Sequence, residues 1–460
     1  MINLISIDHT LTMSYSHILL PDLSKISMER RNFLSKEAHR IYTENSLDQY
    51  SNEKYLSWDK VRYLELPSDC ISHEELWFVI RSFRYGRPTP IKNLDGNYFT
   101  FKKVDFLEEL LHNLDLWLGW NFLDIHLTKN EQKVFLQNGV MEEAISSSQL
   151  EWALTSSKVA REMIAKNRRP TSRDEKMILW NYRAMNYVRD ELVDEKLSRE
   201  VLIYLQSLLT NDTLDNDDEV GRFRRDEDEI VIQDTMTWDI YHTPPSESIL
   251  NRELDALISY ANDEEVGFTH PFIKAVILHF WIGFLHPFCD GNGRTARAIF
   301  YWYLLKKWYW GFSYIPISQM IKSSKKQYSD AYLLSEQDGG DMTYFLVYIA
   351  NKTNQAFDEF KKYVSEKKQE QKWISHELIH LGINDRQIKL VGYFLKNPKS
   401  YTNISIHQNY YSIARNTAKA DLDGLCTLWL LRKKKQWLYM NYFPVEDIAT
   451  KIDSETLSNS

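Results

Sequence analysis

The feature that most constrains the fold is a strongly apolar run, Val276–Leu285, followed at once by a segment that forms turns. The run has a helical pattern, and Pro287, Gly291 and Gly293 then interrupt it. The helical pattern resumes over Arg294–Leu304. These residues therefore predict a helix, a tight loop and a second helix.

The rest of the sequence also favours helices over strands. Glycine (15) and proline (12) are scarce among the 460 residues, so few positions interrupt a helix. Helical periodicity dominates from about residue 101 to residue 365. We therefore predict a mainly α protein with a helical core, a β-hairpin, a small mixed N-terminal region and a C-terminal winged helix-turn-helix.

No part of the sequence predicts a membrane segment. Residues 1–20 have no basic start and no continuous apolar stretch, which argues against a signal peptide, and nowhere do 18 apolar residues run together. Cys70, Cys289 and Cys426 are few, odd in number and far apart, as is typical of a reducing compartment. We expect a cytoplasmic protein with no membrane partner.

Changes in composition divide the chain into segments, and its length is sufficient for two or three domains. The predicted segments are a mixed region at 1–100, the helical core at 101–365, a polar linker at 366–384, a basic module at 385–444 and a tail at 445–460. No chemistry is assigned to the first segment.

The loop between the two helices has the composition of a phosphate-binding site. Gly291, Asn292 and Gly293 lie where the second helix begins, so their backbone N–H groups can converge into an anion nest supported by the helix dipole. Arg294 and Arg297 are three residues apart and are expected to project from one face of the first turn. A guanidinium binds phosphate oxygens bidentately, which indicates a site for more than one phosphate.

Two further residues of the same segment supply chemistry. Asp290 offers a hard oxygen ligand for a Mg²⁺ ion that is shared with phosphates. His286 can accept a hydroxyl proton near pH 7. Any one of these residues alone fits a glycine-rich turn with a core histidine, but the whole set in order indicates phosphoryl or nucleotidyl transfer.

The segment from His286 to Arg297 resembles, at every defined position, the signature of the Fic family, His-x-Phe-x-Asp/Glu-Gly-Asn-Gly-Arg-x-x-Arg. The resemblance implies a helical Fic core that transfers AMP from ATP to a Ser, Thr or Tyr hydroxyl of a protein, itself included. It implies that His286 deprotonates the target hydroxyl and that Asp290 holds Mg²⁺. Phe288 is implied to pack into the core and fix the loop.

The resemblance also assigns the phosphate contacts. Gly291, Asn292 and Gly293 are implied to receive the phosphates, Arg294 to bind the outer phosphates and Arg297 the terminal one. Relatives that phosphorylate instead tend to have Lys at the position of Gly293, so the pattern here is the one associated with AMP transfer.

Two further stretches are similar to parts of the same family. Alternation over Ile230, Val231, Ile232 and Gln233, with a pairing strand at 238–241, looks like the flap hairpin, which aligns a target segment by strand addition. An ordinary surface hairpin is the alternative. Tyr328 stands where relatives place an aromatic residue near the adenine, and a core role for it remains open.

The stretch near 143–155 resembles the inhibitory helix of many Fic proteins, Ser/Thr-x-x-x-Glu-Gly/Asn, with Ser147 and Glu151 at the defined places. Trp152 departs from the pattern, which expects Gly or Asn. A carboxylate on Arg297 would occupy the guanidinium that the terminal phosphate needs. In some relatives the same Glu supports removal of AMP, so both activities stay open, as does the alternative of an ordinary exposed helix acid.

The segment 385–444 carries ten Lys and Arg against three Asp and Glu, in a chain whose net charge is −8. We predict a winged helix-turn-helix with a first helix at 403–411, a recognition helix from Asn416 and a wing at 432–435. Basic residues at a helix start and a wing suit phosphate-backbone binding. Asp421 and Asp423 would repel DNA if they faced it, so protein contact or dimerisation is the alternative.

The leading prediction is therefore an autoinhibited enzyme with ATP, Mg²⁺ and a protein hydroxyl as its partners. The alternative is a DNA-binding transcription regulator whose Fic core senses nucleotide. A homo-oligomer is left open.

Overall fold

The computed structural model describes residues 18, 20–118, 129–233, 239–264, 267–379, 381–398, 400–411, 413–436, 439–446 and 448. These residues are mainly helical, which confirms the predicted fold class, and the chain forms two compact units, Met1–Asp358 and Glu359–Ser460. Within the described ranges no helix has the length and apolarity needed to cross a membrane.

The helices of the first unit are α1 Met28–Glu44, α2 Trp58–Val61, α3 His73–Ser82, α4 Asp105–Leu118, α5 Lys129–Leu150, α6 Ser157–Ala165, α7 Arg173–Asp190, α8 Arg199–Thr210, α9 Glu247–Ala261, α10 Pro271–Leu285, α11 Asn292–Lys306, α12 Ile317–Lys322, α13 Lys325–Gln337 and the start of α14 Thr343–Ile379. Its strands form two antiparallel hairpins: β1 Arg87–Lys92 with β2 Tyr98–Phe101, and β3 Ile232–Gln233 with β4 Ile240–His242. The mixed character predicted for the N-terminal region is therefore seen in α1–α3 and the first hairpin.

The helix pair α10 and α11 forms the centre of the first unit, and it confirms the predicted helix, loop and helix. His270 begins α10 by accepting a hydrogen bond from the Phe272 N–H, and Pro271 fits its first turn because proline needs no donor there. From Phe272 to Leu285 every residue of α10 except Gly283 is buried. The apolar run that dominates the sequence is therefore a helix packed on all sides.

The second unit contains the end of α14, then α15 Asp385–Lys396, β5 Thr402–Asn403, α16 Ile404–Tyr411, α17 Arg415–Thr427, β6 Leu431–Gln436 and β7 Tyr439–Pro444. The strands form an antiparallel sheet in the order β5-β7-β6. The basic run 432–435, predicted as the wing, forms most of β6, because it pairs residue by residue with β7. The winged-helix assignment and the segment limits stay predictions, and α14 continues through most of the predicted linker 366–384.

Candidate active site

The loop between α10 and α11 is fixed by its own backbone and by one side chain. His286 ends α10 in the left-handed region (φ 47°), and Gly291 begins α11 in the same region (φ 86°), where glycine is favoured. Asn292 accepts a hydrogen bond from the Phe288 N–H (2.9 Å) and donates to the Phe288 carbonyl (2.7 Å). The loop therefore holds His286 and the start of α11 in a defined relation.

A buried arginine supports this loop from behind. Arg224 donates its backbone N–H to the Pro287 carbonyl (2.9 Å), and its side chain donates to the carbonyls of His286 (2.7 Å) and Leu285 (3.1 Å). These are carbonyls that the end of a helix leaves without a partner. Nothing local in the sequence indicates that Arg224 reaches a helix end about sixty residues away.

His286 is neutral at physiological pH. Burial, and after it the positive charge of His242, lowers the pKa of His286 to about 3. A neutral imidazole can accept a proton, so the environment gives this side chain the form that a general base needs.

The N-terminal end of α11 suits an anion, and Asp290 stands beside it. The Asp290 Oδ1 accepts a hydrogen bond from the Gly291 N–H (2.6 Å), and its Oδ2 lies 3.4 Å from Arg294. Its side chain is 41% exposed, so oxygen lone pairs remain accessible. Among the described residues no group of three or more His, Cys, Asp or Glu side chains could hold a metal. One accessible carboxylate nevertheless fits Mg²⁺, which is usually held by one or two carboxylates, waters and substrate phosphates.

The two arginines of the motif do not point the same way, in contrast to the expectation from their spacing. Arg294 is buried and donates to the Leu209 carbonyl at the end of α8 (2.6 Å). Arg297 turns towards α5, where its Nε donates to the Ser147 hydroxyl (2.8 Å) and its Nη2 to the Ser147 carbonyl (3.0 Å). Packing against different neighbouring helices separates them, and the phosphate role of Arg294 stays a prediction.

Glu151 contacts Arg297 at the positive end of α11. Its Oε1 accepts a hydrogen bond from Arg297 Nη2 (2.8 Å). The same oxygen would lie 2.1 Å from a Cβ built on Gly293, so the carboxylate rests directly on the glycine backbone. The contact implied by the resemblance is present, and the carboxylate occupies the place where the helix dipole and Arg297 both favour an anion.

The residue that departs from the inhibitory pattern has a compensating partner. Trp152 adopts φ 68°, the left-handed conformation that Gly and Asn tolerate best. Lys325 lies over its ring, 4.2 Å from the centroid, and donates to the carbonyls of Gln149 (2.9 Å) and Leu150 (3.1 Å). Lys325 thus holds the end of α5, a role that no sequence pattern indicates.

The middle of α5 is held in the core by polar contacts. Glu143 is buried and accepts hydrogen bonds from the Ser318 N–H (2.9 Å) and the Tyr301 hydroxyl (2.8 Å). Burial raises the pKa of this carboxyl. Asn181 of α7 donates to the Ala144 carbonyl (3.0 Å). Ser147 and Glu151 are therefore presented by a helix that is anchored on two sides.

Tyr328 lies in an aromatic cluster of the first unit. Its hydroxyl is hydrogen-bonded to His279 Nε2 (2.8 Å), and its ring contacts Tyr332, Phe345 and Tyr348. Tyr328 is half-buried in this cluster, and both its core role and its contact with adenine stay predictions.

The predicted flap is present as a shorter hairpin. Ile232 pairs with His242, and Gln233 pairs with Ile240. Ile230 and Val231, predicted to be part of the strand, precede it, because Glu229 adopts a left-handed conformation (φ 47°) that delays its start. The connecting residues 234–238, including Trp238, lie outside the described residues.

Comparison with known proteins agrees with this geometry. Residues 196–304, which include α8, both flap strands and α10, match the sequence profile of the Fic/DOC family. The chain therefore contains a Fic domain.

Several proteins with similar sequences are named adenylyltransferases. Protein adenylyltransferase Fic of Culex quinquefasciatus is 26% identical over 262 residues, 56% of this chain and 46% of that protein. The protein of the same name from Nematostella vectensis is 26% identical over 142 residues, 31% of this chain and 29% of that protein. The chain thus spans less than half the length of these relatives. A crystal structure of a Fic family protein from Desulfovibrio desulfuricans G20 has the same fold (TM-score 0.51, 15% identity), with coverage of 75% of this chain and 98% of that chain.

Proposed function

We propose that this protein transfers AMP from ATP to a protein hydroxyl and that Glu151 restrains the reaction. The observation that carries the proposal is the carboxylate of Glu151 on Arg297 and Gly293, at the start of a helix that follows a neutral histidine. A site built for an anion is occupied by the protein's own anion. The adenylyltransferase names of the similar proteins support this assignment at the level of the family.

In the proposed reaction the backbone N–H groups at the start of α11 bind the phosphates of ATP, and Arg297 binds the terminal phosphate. Asp290 would hold Mg²⁺, which neutralises phosphate charge when it is bound. His286 accepts the proton of the target hydroxyl while the hydroxyl oxygen forms a bond to the α-phosphorus. The bond from that phosphorus to the bridging oxygen breaks, and pyrophosphate leaves. The flap strand β3 aligns the target segment by strand addition.

Restraint follows from competition for one guanidinium. Glu151 accepts a hydrogen bond from Arg297 Nη2, and Ser147 accepts from Nη2 and from Nε. The terminal phosphate of ATP must displace the carboxylate or bind elsewhere in an unproductive position.

The restraint depends on how firmly the C-terminal end of α5 is held in place, which gives a first prediction. Lys325→Met removes the contacts with two helix carbonyls and the Trp152 ring. A cation–π contact of this kind contributes roughly 1 kcal/mol, so we expect AMP incorporation from labelled ATP to rise about fivefold. The matched control is Lys326→Met, because Lys326 is 85% exposed and pairs only with Asp330. Equal rates in the two variants would contradict the role of Lys325.

A second candidate function, DNA binding by the second unit, is favoured by one observation. Asp421 is buried and paired with Arg386 (2.7 Å), and Asp423 is paired with Lys433 (2.7 Å), so neither carboxylate is an unpaired charge on α17. The exposed basic residues on α17 and β6 are Arg415, Lys419, Arg432, Lys433, Lys434 and Lys435. Such a surface suits the phosphate backbone of a duplex.

The test is salt-dependent binding of the full chain to a labelled duplex. Lys434→Gln with Lys435→Gln is expected to weaken binding and to lower the salt slope by about one for each lysine. Lys389→Gln, an exposed change on α15, is the control. Absence of binding by the unaltered chain at low salt would exclude this function.

A further inference from the structure

His242 is the last residue of β4, and its ring joins three elements at the base of the flap. The side chain is buried. Its Nδ1 lies 2.7 Å from Glu336 Oε2 on α13, and its Nε2 lies 2.7 Å from the Phe284 carbonyl oxygen on α10. Phe284 is two residues before His286, so this contact ties the flap to the helix end that carries the proposed base.

The two partners determine the protonation state of the ring. A carbonyl oxygen can only accept, and an ionised carboxylate can only accept, so both ring nitrogens must donate. A neutral imidazole has one N–H and can make only one of these bonds. Because a carboxyl group is ordinarily much more acidic than an imidazolium, the shared proton belongs on His242 rather than on Glu336.

The charged groups that face this ring come from each element packed around it. Glu336 of α13 attracts a positive charge, whereas Arg224, which precedes the flap, opposes it. His286 at the end of α10 experiences the charge of His242 in turn. The arrangement separates two neighbouring histidines into a charged one and a neutral one, a pattern typical of sites that assign acid and base roles.

We propose that His242 is a positioning residue: as an imidazolium that donates from both ring nitrogens, it fixes the base of the flap to α10 and α13. This role adds to the proposed AMP transfer and rests on it. His242 itself takes no part in the bonds that form or break.

The pH dependence follows from the directions in which the pKa values of His242 and His286 are shifted. Burial lowers the pKa of His242, but Glu336 and the Phe284 carbonyl outweigh it, and the pKa is raised above 6.5. The charge and both bonds are therefore complete below pH 6.5 and are lost as the pH rises through the raised pKa. The pKa of His286 is lowered, so it stays neutral at pH values well below 6.5. Both residues have the required form only between these two limits.

The first test does not depend on activity. Nitrogen NMR spectra of protein with labelled histidine separate doubly protonated rings from neutral tautomers, and the signal missing from His242→Gln identifies His242. We expect both nitrogens to be protonated at pH 6, and Glu336→Gln to convert the ring to a neutral form. A neutral ring in the unaltered protein at pH 6 would overturn the proposal.

The second test uses AMP incorporation in a Glu151→Gly background. We expect His242→Gln to lower kcat about tenfold, with KM for ATP unchanged, because a hydrogen-bonded charge is lost at the flap base. The acidic limb of the pH profile should move to higher pH, because His286 loses the neighbouring charge. His39→Gln, an exposed change on α1, is the control. An unchanged kcat and pH profile would overturn the positioning role.

The two tests distinguish a failure of the proposed AMP transfer from a failure of the role proposed for His242. Absence of incorporation in Glu151→Gly itself would contradict the proposed function, and the NMR spectra would still decide the charge and contacts of His242. Where His242→Gln fails to fold, Glu336→Gln removes the same charged contact and is tested in both ways.

Discussion

Glu151→Gly is expected to raise incorporation of labelled AMP, in the presence of ATP and Mg²⁺, about ten- to a hundredfold. The change removes the carboxylate that lies 2.8 Å from Arg297 and rests on Gly293. Hydrogen bonds to charged groups contribute roughly 1.5–3 kcal/mol, which corresponds to this range once the guanidinium is available to the terminal phosphate.

A matched pair of isosteric changes separates charge from shape. Glu151→Gln keeps an acceptor near Arg297 without its charge and should give a smaller increase. Glu142→Gln lies on the same helix, where Glu142 is paired with Arg161, and should leave the rate unchanged. If the two glutamine variants behave alike, Glu151 is an ordinary helix acid and the restraint is refuted.

His286→Ala in the Glu151→Gly background is expected to lower AMP incorporation about 10²–10⁴-fold, the contribution typical of a general base. The proposed phosphate contacts lie on α11, Arg297 included, so binding of ATP should change little. His39→Ala is the control, and the melting temperature of each variant shows whether it is folded.

AMP incorporation by Glu151→Gly should persist to an unusually low pH. Because the pKa of His286 is lowered to about 3, its base form persists as the pH falls, and Glu151→Gly should keep its rate as the pH falls from 6.5 to about pH 5. A decline centred near pH 6.5 would show that the histidine titrates as it does in water. Undiminished incorporation by His286→Ala would exclude it as the base.

The helix pair and its loop could be predicted because their signals are local. The apolar run of α10 and the glycines at 291 and 293 determine helix, turn and helix without reference to the rest of the chain. The contact between Glu151 and Arg297, which joins residues 146 positions apart, was accessible only through the resemblance to a known family.

The parts that could not be predicted depend on distant partners. Arg224, Lys325 and His242 each contact helix-end carbonyls that the sequence does not place near them. The direction of Arg294 was wrong for the same reason, because helix spacing gives the side of a helix but not the neighbour that a long side chain reaches. The late start of β3 follows from one left-handed residue, Glu229, which no pattern of apolar residues reveals.

The left-handed Trp152 has a consequence for the proposed restraint. A residue with a large side chain loses roughly 1–2 kcal/mol in that conformation, and a glycine would not. The strain acts against the position of the neighbouring Glu151, while Lys325 offsets it from outside the helix. If Glu151 restrains AMP transfer as proposed, the residual rate of the unaltered chain therefore depends on a small free-energy difference between a strained backbone torsion and a surface contact.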